Sequence, residues 1–311
     1  MKAAAALSAL LFASPAACEP GRTGAAFLQR TLGARAAAMG SAHAAVSYSP
    51  DAVQYNPAAL ATIGERTLST TYLNAYGSTN FGFLGYAHPL PLGVATAGAV
   101  YFNAGRIELN LSNGTRGTVT AEEDLAAYAG YALPLAFGVS IGATARFLRM
   151  QLAQTATASS QQGDFGIHWK TPLRGVSLGG AYQYLGPNIT FESAGDPPPR
   201  TMRAGVALRF PDVDARKIDP SVDLEAFDLT AAADVVQVLH EDLSPRVGLE
   251  LGLTPQFLNR IALRTGWVFG RAAEGLSFGL GYRGGGFALD YAFGNSPDLG
   301  GLQHLSLTFY F

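Results

Sequence analysis

Three copies of the pattern Gly-x-Ser-x-Gly are the residues that most directly suggest chemistry. They lie at 138–142, 175–179 and 275–279. In hydrolases this pattern forms one sharp strand-to-helix turn, which exposes a nucleophilic serine. Here all three copies lie inside segments of alternating large apolar and small residues. They therefore predict strands in which Gly and Ser face one side and the apolar residue faces the other, and no catalytic residue.

A fourth glycine pattern, at 279–284, matches the dinucleotide-binding fingerprint Gly-x-Gly-x-x-Gly. That fingerprint needs a following helix, whose N-terminus binds the pyrophosphate. No helix is predicted after residue 284, so we interpret this pattern as a strand that runs into a hairpin turn. We predict no cofactor.

The histidines and the net charge exclude two further classes of site. His43, His88, His168, His240 and His304 are scattered and lack the spacing of metal ligands. The net charge is −2, whereas binding to nucleic acid needs a concentrated basic face. We therefore predict neither a metal site nor a nucleic-acid partner.

Alternation along the chain is typical of strands, because successive side chains of a strand point to opposite faces. In 276–283, Leu, Phe, Leu and Tyr share one face, and Ser, Gly, Gly and Arg share the other. A soluble sandwich would also alternate, but its polar face would carry many charges. This face is small and only 14% of all residues are charged, which favours the inside of a narrow barrel.

We count about fourteen such segments, an even number as expected for a bacterial outer-membrane barrel. They span 66–76, 79–89, 92–104, 123–134, 136–151, 161–172, 174–185, 198–210, 224–237, 242–253, 258–270, 274–283, 285–293 and 302–311. After the first twenty residues, no uninterrupted apolar run is long enough for a membrane-spanning helix.

The connections between these segments alternate in length. Those at 89–91, 134, 172–173, 254–256 and 284–285 are tight Pro or Gly turns, as expected on the periplasmic side. The predicted outer loops include 105–122, 152–160 and 186–197, which are longer. The connection 211–223 is an exception among the short turns.

The alternation also places charged side chains of both signs in the lumen. These are Arg146, Asp164, His168, Arg203, Arg209, Asp234, Arg246, Glu250, Arg264, Arg283 and Asp290. A selective ion pore would favour one sign. Mixed charges favour ion pairs that brace a plug, and a polar path for a ligand is the alternative.

The first 65 residues divide into two predicted parts. Residues 1–17 have the features of a signal peptide, with Lys2 before an apolar stretch. Cys18, the only cysteine, is either unmodified or lipidated. Residues 18–65 are apolar and sparsely charged, with Asn56-Pro57 resembling a helix start. We expect short helices that plug a barrel formed by 66–311; a disordered lead-in is the alternative.

The last segment, 305–311, alternates and ends on the aromatic residue Phe311. It resembles the terminal signal that the barrel-assembly machinery recognises in outer-membrane proteins. Together with the signal peptide, it predicts export to the bacterial outer membrane and contact with outer-membrane lipid.

Residues 27–40, FLQRTLGARAAAMG, and 51–60, DAVQYNPAAL, resemble the opening of the PorV/PorQ family. Leu185-Gly186-Pro187 and 289–293 continue the resemblance towards the end of the chain. The motif residues that carry it are Gly33, Arg35, Met39, Gly40, Asp51, Asn56 and Pro57.

The resemblance implies an outer-membrane barrel related to the FadL fatty-acid channels, with fourteen strands and an N-terminal plug. Some members of the family act in type IX secretion as shuttles. Two hypotheses follow. The first is a barrel that supports protein export, with a translocon or a cargo protein as partner. The second is a FadL-like channel for small hydrophobic molecules. A membrane-embedded hydrolase has only the three serine patterns in its favour.

Overall fold

The computed structural model describes residues 23–46, 48–74, 79–110, 116–210, 227–254, 259–271, 274–296 and 300–311. The predicted signal peptide, Cys18 and the turn at 255–256 lie outside these residues. Among the described residues, no helix is long and apolar enough to cross a membrane.

Eighteen strands account for most of the described chain. Fourteen form the barrel: β1 (Thr67–Asn74), β2 (Asn80–Leu90), β3 (Gly93–Asn103), β6 (Glu122–Pro134), β7 (Val139–Leu152), β8 (Ala156–Lys170), β9 (Val176–Leu185), β12 (Thr201–Phe210), β13 (Phe227–Val238), β14 (Ser244–Leu253), β15 (Arg260–Val268), β16 (Leu276–Gly284), β17 (Phe287–Ser296) and β18 (Gly300–Tyr310). Two small hairpins lie in connections: β4 (Arg106–Asn110) with β5 (Arg116–Thr120), and β10 (Ile189–Thr190) with β11 (Gly195–Asp196).

The barrel closes because its first and last strands pair. Each strand is antiparallel to its neighbours in chain order, and β1 pairs with β18 in the register Thr67↔Tyr310 to Asn74↔Gln303. Closure leaves no unpaired edge in the barrel wall, which is the condition for a sheet to lie in lipid. The prediction of a fourteen-stranded antiparallel barrel is confirmed.

The two faces of each strand differ in size and polarity. In β16, Phe278 and Leu280 are about half exposed on the outer face, whereas Ser277 is buried on the inner face. Large apolar side chains repeat this outward position around the wall, and they would contact lipid acyl chains. The inner face carries Gly, Ala, Ser, Thr and isolated charges, which leave room for a plug.

One predicted loop is wrong. Residues 152–160 were expected to form a long connection, but β7 runs to Leu152 and β8 begins at Ala156, so the turn is only 153–155. The run Ala156–Ser160 is small and polar, which suggests a loop. It nevertheless alternates, because Ala158 and Ser160 are buried on the inner face. The connections 104–121 and 186–200 are long, as predicted, and contain the two small hairpins.

Four short helices form the plug inside the barrel. They are 3-10 helices at Ala26–Gln29, Pro50–Gln54 and Pro57–Thr62, and an α-helix at Ala34–Ala38. Asn56 precedes the last of them, and its side-chain oxygen accepts a hydrogen bond from the Ala58 N–H at 3.0 Å, as its capping position predicts. Ala34, Met39 and Leu60 are fully buried, so the plug packs as part of the protein core.

The barrel has two distinct ends. We call the end with connections 104–121 and 186–200 the loop end, and the end where β1 begins and β18 finishes the terminus end. At the terminus end, the Phe311 N–H donates to the Arg66 carbonyl at 2.9 Å. The short connections 91–92, 135–138, 171–175 and 285–286 also lie there.

Candidate functional site

The interface between the plug and the inner wall brings most of the predicted charged residues together. Arg35, on the α-helix of the plug, binds Glu250 of β14 through two hydrogen bonds, Nε to Oε2 at 2.7 Å and Nη2 to Oε1 at 3.0 Å. Arg264 Nε and Arg260 Nη2 bind the same carboxylate at 2.5 and 2.9 Å. Arg264 also binds Asp290 at 2.6 Å. We call these five residues the arginine–carboxylate cluster.

A second anchor joins the plug to β13. The Asp234 Oδ2 atom accepts hydrogen bonds from the backbone N–H groups of His43 and Ala44, both at 2.9 Å. Arg203 Nη1 lies 3.5 Å from the same oxygen and donates to the Ser41 carbonyl at 3.1 Å. Buried backbone groups of an irregular segment need hydrogen-bond partners. The Asp234 carboxylate is the partner of the two plug N–H groups.

A third anchor is the ion pair of Arg146 and Asp164, 2.7 Å apart, with both side chains fully buried. Arg146 also donates to the Val53 carbonyl of the plug at 3.0 Å. Its guanidinium lies over the rings of Tyr128 and Tyr184, at 5.6 and 5.3 Å from their centroids. The pair therefore fixes the plug helix Pro50–Gln54 to the β7–β8 wall.

Asn56 connects three parts of the chain. Its Nδ2 donates at 2.9 Å to Ala44 of the plug and at 2.9 Å to Ile167 of β8. A Cβ added to Gly166 would overlap the Asn56 side-chain oxygen, and it would lie 3.0 Å from Pro57. Only glycine therefore allows the wall to approach the plug this closely at position 166.

The remaining motif residues pack along the other side of the lumen. Gly33 precedes the α-helix and lies against Asp51. Gly40, at φ +60°, contacts the backbone of Trp267, and Met39 contacts Gly248. A residue with a Cβ would be strained in the left-handed conformation of Gly40. Its Cβ would also overlap the backbone of Trp267, so both the conformation and the close approach require glycine at position 40.

Three of the predicted lumen arginines lie outside the anchors described above. They are Arg209, Arg283 and Arg246. Arg209 is half-buried and lies over the ring of Tyr48, 5.2 Å from its centroid. Arg283 is 46% exposed in its side chain and pairs with Glu65 at 3.2 Å. Both lie at the terminus end, where the lumen meets solvent. Arg246 pairs with Glu274, at the other end of the barrel, at 3.6 Å.

Sequence reasoning missed several residues that hold the plug. Arg260 of β15 binds Asp228 and Glu250, and Ser306 of β18 accepts a hydrogen bond from the Ala34 N–H at 2.8 Å. The alternation of the strands already indicated that these side chains point inward. Arg260 shares the inward parity of Arg264, Asp228 shares that of Asp234, and Ser306 that of His304.

Two buried plug groups are shifted towards their neutral forms. Burial raises the pKa of Asp51 to about 6, against the lowering effect of the Ser49 hydrogen bond and of Arg35. Burial also lowers the pKa of His43, and Arg35 lowers it further. Burial therefore disfavours the charged form of both side chains.

Ser277, the serine of the third Gly-x-Ser-x-Gly pattern, holds the plug. Its hydroxyl donates to the Ala38 carbonyl at 3.1 Å and accepts from the Gly40 N–H at 3.2 Å. Ser140 is also on the inner face, opposite His168 in the register of β7 and β8. His168 Nε2 is bonded to the Ala45 carbonyl at 3.1 Å. Among the described residues, no group of His, Cys, Asp and Glu could hold a metal ion.

Two cavities lie on opposite sides of the plug. The larger, about 560 Å³, is at the terminus end and is lined by Tyr48, Arg209 and the arginine–carboxylate cluster. The smaller, about 290 Å³, is at the loop end and is lined by Leu73, Leu276, Leu302 and His304. The plug residues from Gly33 to Gly40 lie between them.

Comparison with solved structures identifies the architecture. The chain is similar to the P. putida toluene transporter TodX (TM-score 0.62, 12% identity, 90% of this chain and 98% of that chain). It is similar to the CymD monoaromatic hydrocarbon channel (TM-score 0.61, 11% identity, 90% and 97%) and to a Pseudomonas aeruginosa FadL homologue (TM-score 0.53, 13% identity, 91% and 99%). At these identities the likeness shows the fold alone, a FadL-like barrel.

Comparison with family models identifies the family. No curated protein matches the chain. The family model described as "Type IX secretion system protein PorV" matches residues 20–232, which is more than half of the sequence. The protein is therefore a bacterial outer-membrane β-barrel that belongs to the PorV family.

Proposed function

We propose that this barrel supports protein export by a type IX secretion-like system, as a membrane scaffold or shuttle that binds a translocon or a cargo protein at its ends. The observation that carries the proposal is the plug, which the arginine–carboxylate cluster, Asp234 and the Arg146–Asp164 pair fix to the wall on different sides. A lumen held in this way favours a structural role, and membership of the PorV family favours secretion.

The second candidate is a conduit for small hydrophobic molecules. It is supported by the FadL-like fold and by the cavities of about 560 and 290 Å³ on the two sides of the plug. In this case the plug would have to move, because the chain from Gly33 to Gly40 separates the cavities.

Affinity purification of the tagged protein from cross-linked outer membranes distinguishes the candidates. We expect a large membrane translocon protein, or a secreted protein with a shared C-terminal domain, to co-purify. A tagged, unrelated barrel from the same membrane is the control. Uptake of radiolabelled toluene and oleate is measured in cells with and without the gene. Recovery of no partner, together with loss of uptake on deletion, would refute the secretion role.

We also propose that the protein is not an enzyme, because Ser277 is explained by its hydrogen bonds to the plug and Ser140 and Ser177 by the alternation of their strands. Replacing Ser140, Ser177 and Ser277 together with Ala is expected to leave the hydrolysis of p-nitrophenyl esters at the background rate of the parent. The folded barrel is first verified by its heat-modifiable migration on a denaturing gel. A loss of hydrolysis in the folded triple variant would identify a catalytic serine.

Outer-membrane lipid and the barrel-assembly machinery complete the proposed partners. The outward apolar side chains favour lipid contact. Phe311 follows β18 and is 71% exposed, which favours its recognition by an assembly factor.

A further inference from the structure

The larger cavity, of about 560 Å³ at the terminus end, contains one arginine that the ion pairs do not use. The three arginines of the arginine–carboxylate cluster are bonded to carboxylates, and Arg283 is paired with Glu65. Arg209 lines the same cavity, but no ion pair within the described chain includes it. Its Nε atom is buried and lacks a hydrogen-bond partner among those residues. Because buried donors are normally paired, a guanidinium in this state favours an anionic ligand.

The plug holds this guanidinium in place. Arg209 lies over the ring of Tyr48, 5.2 Å from its centroid, and Arg35 lies 6.0 Å from the same centroid. Tyr48 has a φ of +120°, which a bulky residue rarely adopts. Backbone strain of this kind persists only where the surroundings maintain it, and it is concentrated at ligand and active sites. Tyr48 is therefore held beside Arg209 in spite of an unfavourable backbone conformation.

The carboxylates around the cavity leave Arg209 accessible to a ligand. Four of the five lining carboxylates in the described chain bind other arginines: Glu65, Asp228, Glu250 and Asp290. The fifth, Asp51, is only 3% exposed and lies against Gly33 of the plug. The positive charge that a ligand can reach without breaking an ion pair is therefore the single guanidinium of Arg209.

The lining of the cavity selects among anions. A carboxylate carries one negative charge and accepts two parallel hydrogen bonds from one guanidinium. A phosphate monoester carries a charge of about −1.5 to −2 at pH 7, and the excess charge would lie close to the carboxylates of the cluster. Ile63, Ala288 and Tyr310 add apolar and aromatic surface to the walls. Such walls suit a carboxylate that has a small apolar body.

We propose that the cavity at the terminus end binds a small aromatic carboxylate, whose carboxylate group is held by Arg209 beside Tyr48. The bound ligand then lies between the plug and β12 of the wall. The plug residues from Gly33 to Gly40 separate this site from the cavity at the loop end, so the ligand enters from the terminus end. The site goes beyond the secretion role and does not depend on it.

Calorimetric titration of the purified barrel in detergent with sodium benzoate tests the site. We expect saturable binding with a Kd of about 0.1–1 mM, a reasonable affinity for a ligand of about nine non-hydrogen atoms. Benzamide has the same shape without the charge, and inorganic phosphate has the charge without the ring. Both are expected to bind at least about tenfold more weakly than benzoate, because each lacks one of the two features that the cavity recognises.

Three variants show whether Arg209 is the residue that binds the carboxylate. Arg209→Met is expected to weaken benzoate binding about tenfold to a hundredfold, as the loss of a charged hydrogen bond would. Arg209→Lys keeps the charge without the planar fork and should give an intermediate affinity. Arg149→Met removes an exposed arginine from the outer face of β7 and is the control, with parental affinity. Heat-modifiable migration verifies that each barrel is folded.

Three results would overturn the proposal. They are the absence of saturable benzoate binding by the parent, equal affinities for benzoate and benzamide, and parental affinity of the folded Arg209→Met variant. Co-purification of a translocon or a cargo protein is a separate measurement, so a failure of this site and a failure of the secretion role are distinguishable.

Discussion

Glu250→Gln is expected to destabilise the plugged barrel by about 3–5 kcal/mol, the usual cost of removing one partner from a buried ion pair. The Glu250 carboxylate is 1% exposed and accepts hydrogen bonds from Arg35, Arg260 and Arg264. Glutamine keeps the volume but has one oxygen and no charge. Three guanidinium groups would then share only Asp228 and Asp290.

The loss of stability of the Glu250→Gln variant is measured as a shift in the urea concentration at which the fast-migrating, folded form disappears from a gel. Glu65→Gln is the matched control, because that pair with Arg283 is about half exposed and worth about 0–1 kcal/mol. Arg35→Met should fall between them, since Arg260 and Arg264 still neutralise Glu250. Equal midpoints for Glu250→Gln and Glu65→Gln would show that the cluster does not hold the plug.

Gly166→Leu is expected to displace the plug helix Pro57–Thr62 while the barrel stays closed. The new side chain would occupy the positions of the Asn56 amide and Pro57. Asn56 cannot move aside without losing its bonds to Ala44 and Ile167. Overpacking of this kind costs about 1–3 kcal/mol before any hydrogen bond is lost.

Protease sensitivity of the plug, compared with heat-modifiable migration of the barrel, separates the two effects. Gly82→Leu is the control, because a Cβ at position 82 meets nothing within 4 Å. We expect rapid cleavage within the plug for Gly166→Leu and parental resistance for Gly82→Leu. If the plug of Gly166→Leu stays as resistant as that of the control, the contact at Asn56 is not what fixes it.

The number of strands could be predicted because alternation with a period of two marks each strand in the sequence. The same alternation assigns each residue to a face without knowledge of the strand with which it pairs. Arg146, Asp164 and Glu250 are buried on the inner face, as their parity indicates. The turn 153–155 could not be predicted from composition, since Ala156–Ser160 has the small polar residues of a loop. Its strand conformation comes from pairing with β7, including Met150↔Ala158.

The contacts between the plug and the wall could not be predicted from the sequence, for a different reason. Glu250 binds Arg35, whose position 215 residues earlier depends on the path of an irregular segment. Asp234 binds two backbone N–H groups, which carry no residue type to recognise. Register within a hairpin follows from its turn, whereas contacts between plug and wall exist only once the barrel has closed.

The bond between Ala34 and Ser306 has a consequence for biogenesis. Its partners are 272 residues apart, and Ser306 also bonds Thr71 at 2.8 Å where the first and last strands meet. The plug is synthesised first, but this docking position does not exist until the final strand arrives. A nascent or truncated chain that lacks β18 thus leaves both the seam and this side of the plug unfinished. Completion of the polypeptide is thereby coupled to sealing of the barrel around its contents.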